Sequence, residues 1–283
     1  MTETKDRAER LLEILDLENL EQNLYRGENE VMPGNRLFGG QVLAQALTAA
    51  NRTVESNRTC HSLHGYFLRP GRPDIPAVYR VERIRDGKSF CTRRIVAIQN
   101  GEAIFSMDAS FHIKEQGLEH QMDMRSLPTP EELEDDIVIA KRNPVTNSPW
   151  ATRERPFELR TVSQKKTFDD NSNPVWIRFK KTIGNDLSLH QELLAYASDM
   201  GFVSTSYLPH SKTVSRDDVQ MASLDHALWF HNDFDISQWI IYIKDSTSTH
   251  GAKGFNRGSF YTKQGKLIAS SMQEGLLRVN KPR

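Results

Sequence analysis

Gly39-Gly40-Gln41-Val42-Leu43-Ala44-Gln45-Ala46-Leu47-Thr48-Ala49-Ala50 is a run of good helix formers that carries no charge. A helix lying on a protein surface needs a wet face, so one that lacks it is buried. Four segments with strand character follow: His61 to Leu68, Ala77 to Ile84, Ser89 to Ile98 and Ala103 to Ile113. Arg69-Pro70-Gly71, Arg85-Asp86-Gly87-Lys88 and Asn100-Gly101 separate them. The last two separators are hairpin signals, because glycine tolerates positive φ. This stretch predicts an antiparallel meander wrapped around a buried helix.

Upstream, Ala8, Leu11, Leu12, Leu15 and Leu20 recur at roughly helical spacing, predicting a helix from Lys5 to about Gln22 that Tyr25-Arg26-Gly27 closes. A loop with Pro33 and Gly34 leads to the buried helix. Downstream, residues 121–165 change character. Pro128, Pro130, Pro144, Pro149 and Pro156 and the acidic run Glu131-Glu132-Leu133-Glu134-Asp135-Asp136 mark a linker crossing the surface.

The second half then repeats the order of the first. Val175 to Phe179 reads as a strand, and Leu187 to Met200 as a helix with Leu189, Leu193, Ala197 and Met200 on one face, closed by Gly201. Strands follow at Gln220 to Phe230, Trp239 to Lys244, Gly258 to Thr262 and Leu267 to Val279. Asn100-Gly101-Glu102-Ala103-Ile104 is echoed by Gln264-Gly265-Lys266-Leu267-Ile268 at an equivalent turn. The expected class is therefore α+β, with two helix-in-a-sheet units: residues 1–120 with a leading helix, a linker over 121–165, and residues 166–283.

Composition narrows the function classes. The 283 residues carry 37 Lys and Arg against 37 Asp and Glu, so the formal charge is zero and nothing in the net charge favours a nucleic-acid or anionic-membrane partner. No window approaches about 18 uninterrupted apolar residues, so no membrane span is expected. MTETKDRAER is charged where a secretory signal is apolar, and Lys281-Pro282-Arg283 does not match the peroxisomal Ser-Lys-Leu address. Cys60 and Cys91 lack metal-ligand spacing and read as reduced thiols, which together with these points makes the cytoplasm the expected location.

Several apparent motifs carry no chemistry by themselves. His61 and His64, three apart on a strand, point to opposite faces and make a poor metal pair. Asp225 and His226, adjacent on a strand, also face opposite ways, which argues against a charge relay and for structural use of His226. The chain has no Gly-x-Ser-x-Gly elbow, Walker A loop or dinucleotide glycine fingerprint, which argues against a serine hydrolase of the α/β type, a nucleotidase and a dehydrogenase.

A buried helix wrapped by antiparallel sheet and repeated once describes a double hotdog. Arg36-Leu37-Phe38-Gly39-Gly40-Gln41-Val42, His61 through Gly71, Arg85 through Phe90, Leu224-Asp225-His226 with Trp229-Phe230-His231, and Met272-Gln273-Glu274-Gly275 resemble the acyl-CoA thioesterase II family. They occur in that family's order across nearly the whole chain. The resemblance implies hydrolysis of fatty acyl-CoA to free acid and CoA, without metal or redox cofactor, by a dimer or tetramer. It also implies that a water attacks the thioester, held by Asp199 of Tyr196-Ala197-Ser198-Asp199, Ser223 two places before Asp225-His226, and Gln273. Serine stands where bacterial members often carry threonine, and the hydroxyl is retained.

The residue types suit that chemistry. Asp199 lies at a predicted helix C-terminus, where the macrodipole disfavours negative charge and raises its pKa toward that of a general base. A serine hydroxyl and a glutamine amide offer complementary donors and acceptors for a water. Taken singly, Asp199 reads equally as a solvated helix-end charge, Ser223 as a strand-edge hydroxyl and Gln273 as a buried amide. Backbone N–H groups of Gly39, Gly40 and Gln41 are candidates to stabilise an oxyanion, provided that this helix start faces Asp199. Phe67, Phe202 and Trp229 are candidates for an acyl slot, and Lys253 and Arg257 for the CoA phosphates. Two rivals stand beside this reading: a hotdog enoyl-CoA hydratase or dehydratase, and a non-catalytic acyl-CoA-binding regulatory protein.

Overall fold

The computed structural model describes residues 6–30, 36–142, 152–163 and 171–280. The expected loop at Pro33 and Gly34, the linker prolines Pro144 and Pro149, and Lys281-Pro282-Arg283 lie outside them. The leading helix α1 spans Arg7–Leu15, capped by the Asp6 carboxylate, which accepts from the Ala8 N–H. It ends well short of Gln22. Glu18–Glu21 (β1) and Leu24–Gly27 (β2) instead form a hairpin around Asn23 at φ 61°, and β2 pairs with Ala77–Asp86 (β4). Leu20, which extends the helical spacing, is 41% exposed on β1; the β1–β2 hairpin, anchored on β4 through β2, overrides the local pattern.

The quoted run forms α2, Gly39–Asn51, and every residue from Gly40 to Ala50 is buried. Its polar positions are satisfied internally: Gln45 donates to the carbonyls of Ile14 and Glu28 and accepts from the Tyr79 hydroxyl. The meander is Arg58–Phe67 (β3), β4, Phe90–Gln99 (β5) and Glu102–Ile113 (β6), and the β5–β6 turn uses Asn100 at φ 50° and Gly101 at φ 79°. The His61 ring bonds the Ser110 hydroxyl and His64 lies 3.3 Å from Asp225, so the two histidines share no partner.

The second half contributes Ser172–Phe179 (β8), Leu187–Ser198 (α4), Val219–Ser223 (β9), Asp225–Phe230 (β10), Ile240–His250 (β11), Lys253–Thr262 (β12) and Leu267–Val279 (β13). The expected single strand from Gln220 to Phe230 is thus two strands, interrupted at Leu224. Both pair with β13 but in registers one residue apart, Ser223 opposite Gly275 and Ala227 opposite Met272. Residues 121–165 contain more than linker: a short helix, Asp136–Arg142 (α3), and the edge strand Phe157–Thr161 (β7) paired with β8. Met124, Leu127 and Leu133 from this stretch cover Trp176, Ile241 and Tyr261 on the outer face of the second-half sheet.

All strands pair antiparallel in one sheet, ordered β1-β2-β4-β5-β6-β3-β10-β13-β12-β11-β8-β7, with β9 beside β13. The halves join where β3 meets β10, Tyr66 opposite Asp225. The continuous sheet curls around α2 and α4, which pack against each other in one apolar core: the expected double hotdog. Among the described residues, no helix is long and apolar enough to cross a membrane.

Two features of the helix pair are testable. A Cβ added at Gly40 would overlap the Tyr196 carbonyl oxygen, so the backbones of α2 and α4 touch there. Gly40→Ala should lower stability by roughly 1–3 kcal/mol in chemical denaturation, the usual cost of overpacking. Glu192 is buried on α4, accepting from Asn51 Nδ2 of α2 at 2.6 Å, and burial pushes its carboxyl from an ordinary 4.5 up to about 7. The folded state therefore holds this proton where the unfolded chain has released it. That contribution is complete below about pH 4.5 and is lost as pH rises through about 7. Glu192→Gln should flatten the loss, making the variant more stable than the parent at about pH 8, as read from melting curves across pH.

Candidate active site

Asp199 is the C-cap of α4, and Gly201 at φ 66° turns the chain away behind it. The last carbonyls of a helix need donors from outside it. Here the Tyr242 hydroxyl donates to the Ser198 carbonyl at 3.0 Å, and Lys244 Nζ to that of Met200 at 3.2 Å. Burial holds the Lys244 ammonium down at about 8. Both side chains project from β11, so the sheet fixes the helix end and with it the Asp199 side chain.

The carboxylate is buried against the start of α2. It accepts from the Gly40 backbone N–H, and its Oδ2 lies 2.7 Å from where a Cβ on Gly39 would stand. Gln273 Nε2 of β13 donates to its Oδ1 at 2.8 Å, and Ser223 Oγ at the end of β9 reaches the same oxygen at 3.4 Å. The structure therefore brings all three expected catalytic residues together, from α4, β9 and β13. Burial pushes the Asp199 carboxyl up to about 6 against the opposing bonds from Gln273, Gly40 and Ser223. The direction matches the expectation, but the cause is desolvation rather than the α4 dipole, since α2 presents its positive end to the same group.

His226 completes the cluster, and sequence reasoning assigned it no part in the site. It is fully buried, its Nδ1 3.0 Å from Gln273 Nε2 and 3.8 Å from Asp199 Oδ1, its Nε2 2.9 Å from Ser198 Oγ. Burial pushes its pKa down to about 3, so the ring is neutral. Asp225 does face the other way, accepting from the Glu274 N–H at 2.6 Å, so the two are no relay pair. The overlooked signal was register: with Ala227 opposite Met272, His226 falls beside Gln273 on the inner face.

The expected binding residues divide. Gly39 and Gly40 line the site, but the Gly40 N–H is committed to Asp199 and the Gln41 N–H to the Phe38 carbonyl. The Gln41 side chain is buried away from the site, bonded to Glu28, Asn29 and the Glu30 N–H. Gly39 is the member of that set whose N–H meets no acceptor among the described residues. Phe67, at the inner end of β3, borders the carboxylate beside Gly39 and packs on Phe105. Phe202 is core, enclosed by His226 and Tyr242 behind the site. Trp229 alternates with the core residues Leu228 and Phe230 and so lies on the outer face of β10. The slot expected between these three aromatics is not formed.

Lys253 and Arg257 are exposed on the outer face of β12, paired with Glu274 at 2.9 Å and Asp245 at 3.0 Å. Lys253 borders a recess of about 200 Å³ with Ser248, His250, Gly254, Phe255 and Glu274, to which Arg257 does not contribute. Among the described residues no three His, Cys, Asp or Glu side chains are grouped to hold a metal ion.

Comparison with known proteins shows the family to which the chain belongs. Residues 148–276 match the acyl-CoA thioesterase family model and residues 29–112 the acyl-CoA thioesterase N-terminal domain model. The chain is 35% identical to acyl-CoA thioesterase 2 of Haemophilus influenzae, over 95% of this chain and 96% of that protein. It is 36% identical to human acyl-coenzyme A thioesterase 8, over 94% and 88%. A crystal structure of an acyl-CoA thioesterase II from Mycobacterium marinum superimposes with TM-score 0.82 at 38% identity, covering 96% of this chain and 99% of that one. With identity of this level along almost its entire length, the chain belongs to the acyl-CoA thioesterase II family.

Proposed function

We propose that this thioester hydrolase cleaves fatty acyl-CoA to the free acid and CoA by direct attack of a water held by Asp199, Ser223 and Gln273. The observation that carries the reading is the state of Gln273. Its amide nitrogen serves Asp199 and His226, while its Oε1 is buried without a partner. A buried acceptor in that condition needs a donor, and a water supplies one. One water hydrogen goes to the Asp199 carboxylate and the other to Gln273 Oε1, with Ser223 Oγ beside them. The water's lone pair is then directed outward, at a thioester carbon lying over Gly39.

As the C–O bond forms, Asp199 takes a proton from the water. The carbonyl oxygen gains charge near the Gly39 N–H at the positive end of α2. Collapse breaks the C–S bond, and the proton passes to the departing CoA thiolate. The hydratase alternative requires a histidine aimed at acyl carbons, and both ring nitrogens of His226 are occupied on the buried side of Gln273.

Asp199→Asn keeps shape and removes the base, so kcat should fall by about 10²- to 10⁴-fold with KM little changed. Chromogenic detection of released thiol measures this, and full turnover in the folded variant refutes the assignment. Conversion of an enoyl thioester without thiol release supports the hydratase. Ligand-dependent thermal stabilisation without hydrolysis of any saturated acyl-CoA supports the binding protein. The base acts ionised, so kcat/KM should rise with pH through about 6 and fall about tenfold per unit below it, whereas an unburied aspartate places that limb near 4.

A further inference from the structure

The attack geometry requires one particular orientation of the Gln273 amide, and something must select it. Ser198 Oγ donates its single hydrogen to the Ala195 carbonyl at 2.8 Å. Its contact with His226 Nε2 at 2.9 Å can then be made only if the ring nitrogen is the donor. A neutral imidazole carries one N–H, so Nδ1 is a bare acceptor. That acceptor lies 3.0 Å from the Gln273 amide and admits only its NH2 end.

We propose that His226, held in this tautomer by Ser198, is a positioning residue that turns the Gln273 carbonyl oxygen toward the attacking water. A reversed amide would set oxygen against both the Nδ1 lone pair and the Asp199 carboxylate. It would also offer the water an N–H where an acceptor is needed. Asn256 stands opposite Gln273 in the β12–β13 register, fully buried, with its Oδ1 engaged by Ser206 Oγ at 2.7 Å and its Nδ2 without a partner. Gln273 thus has an acceptor side chain beside it on β10 and, opposite it on β12, a buried amide whose nitrogen has no partner. The inference accounts for Ser198 and His226, motif residues to which water-holding alone gives no task, and it rests on the reading in which Gln273 holds the water.

The test measures kcat and KM by thiol release for His226→Leu, His226→Asn and His226→Gln, in the parent and in Gln273→Ala, with melting curves to establish folding. Asparagine places an oxygen near the Nδ1 position; glutamine and leucine do not. His226→Leu and His226→Gln should lower kcat on the order of 10²-fold with KM little changed, and His226→Asn should restore most of it. In Gln273→Ala the leucine change should add no further loss, because there is no amide left to orient. Parent-like turnover in folded His226→Leu, or the same fold-loss with and without Gln273, overturns the inference. If the leucine variant does not fold, equal kcat in the asparagine and glutamine variants overturns it. Parent-like turnover in Gln273→Ala itself refutes the water-holding reading instead.

Discussion

Two helix ends from different halves of the chain meet with almost nothing between them, and the rest of the molecule depends on that meeting. The C-terminus of α4 delivers Asp199, the N-terminus of α2 receives it, and only glycine at positions 39 and 40 lets them approach. Gly40 admits the Tyr196 carbonyl and Gly39 admits the carboxylate and the Phe67 ring. The continuous sheet enforces this arrangement. Pairing of β3 with β10 sets the two halves in register, and the one-residue slip at Leu224 lets β9 present Ser223 while β10 presents His226 to the same space.

The electrostatics follow from depth. A carboxylate with three hydrogen-bond donors in water would titrate low. Burial outweighs those donors and leaves Asp199 near 6, ionised at neutral pH yet basic enough to take a proton. Around it the groups are neutral or turned away. His226 is uncharged, the Lys244 ammonium is engaged by the Met200 carbonyl, and Tyr242 bonds Ser198 and Ser271. Among the described residues, no cation pairs with Asp199 to pull its pKa back down. The polar floor of Ser198, Tyr242, Lys244 and Asn256 holds position without neutralising the carboxylate.

Much of this was legible in the chain. The uncharged run from Gly39 to Ala50 betrayed a buried helix, and the Asp86-Gly87 and Asn100-Gly101 turns exposed the meander, because period and turn chemistry are local. Only the family resemblance groups Asp199, Ser223 and Gln273 as a set; spacing alone cannot join residues so far apart. The misreadings share one cause, tertiary pairing. The β1–β2 hairpin overrode a helical spacing at Leu20. A slot lined by Trp229 is forbidden by the parity of that residue on β10. The opposite facing of Asp225 excludes a relay pair but says nothing about the face of His226 itself, which is the inner one.

The central claim is that one solvent molecule, gripped by side chains from α4, β9 and β13, is the nucleophile. A crystal structure with a non-hydrolysable thioether analogue of fatty acyl-CoA tests it directly. The account predicts an ordered water within hydrogen-bond distance of Asp199, Ser223 Oγ and Gln273 Oε1, about 3 Å from the carbon that replaces the thioester carbonyl. An analogue bound with that carbon remote from Asp199, or touching the carboxylate directly with no room for water, contradicts it.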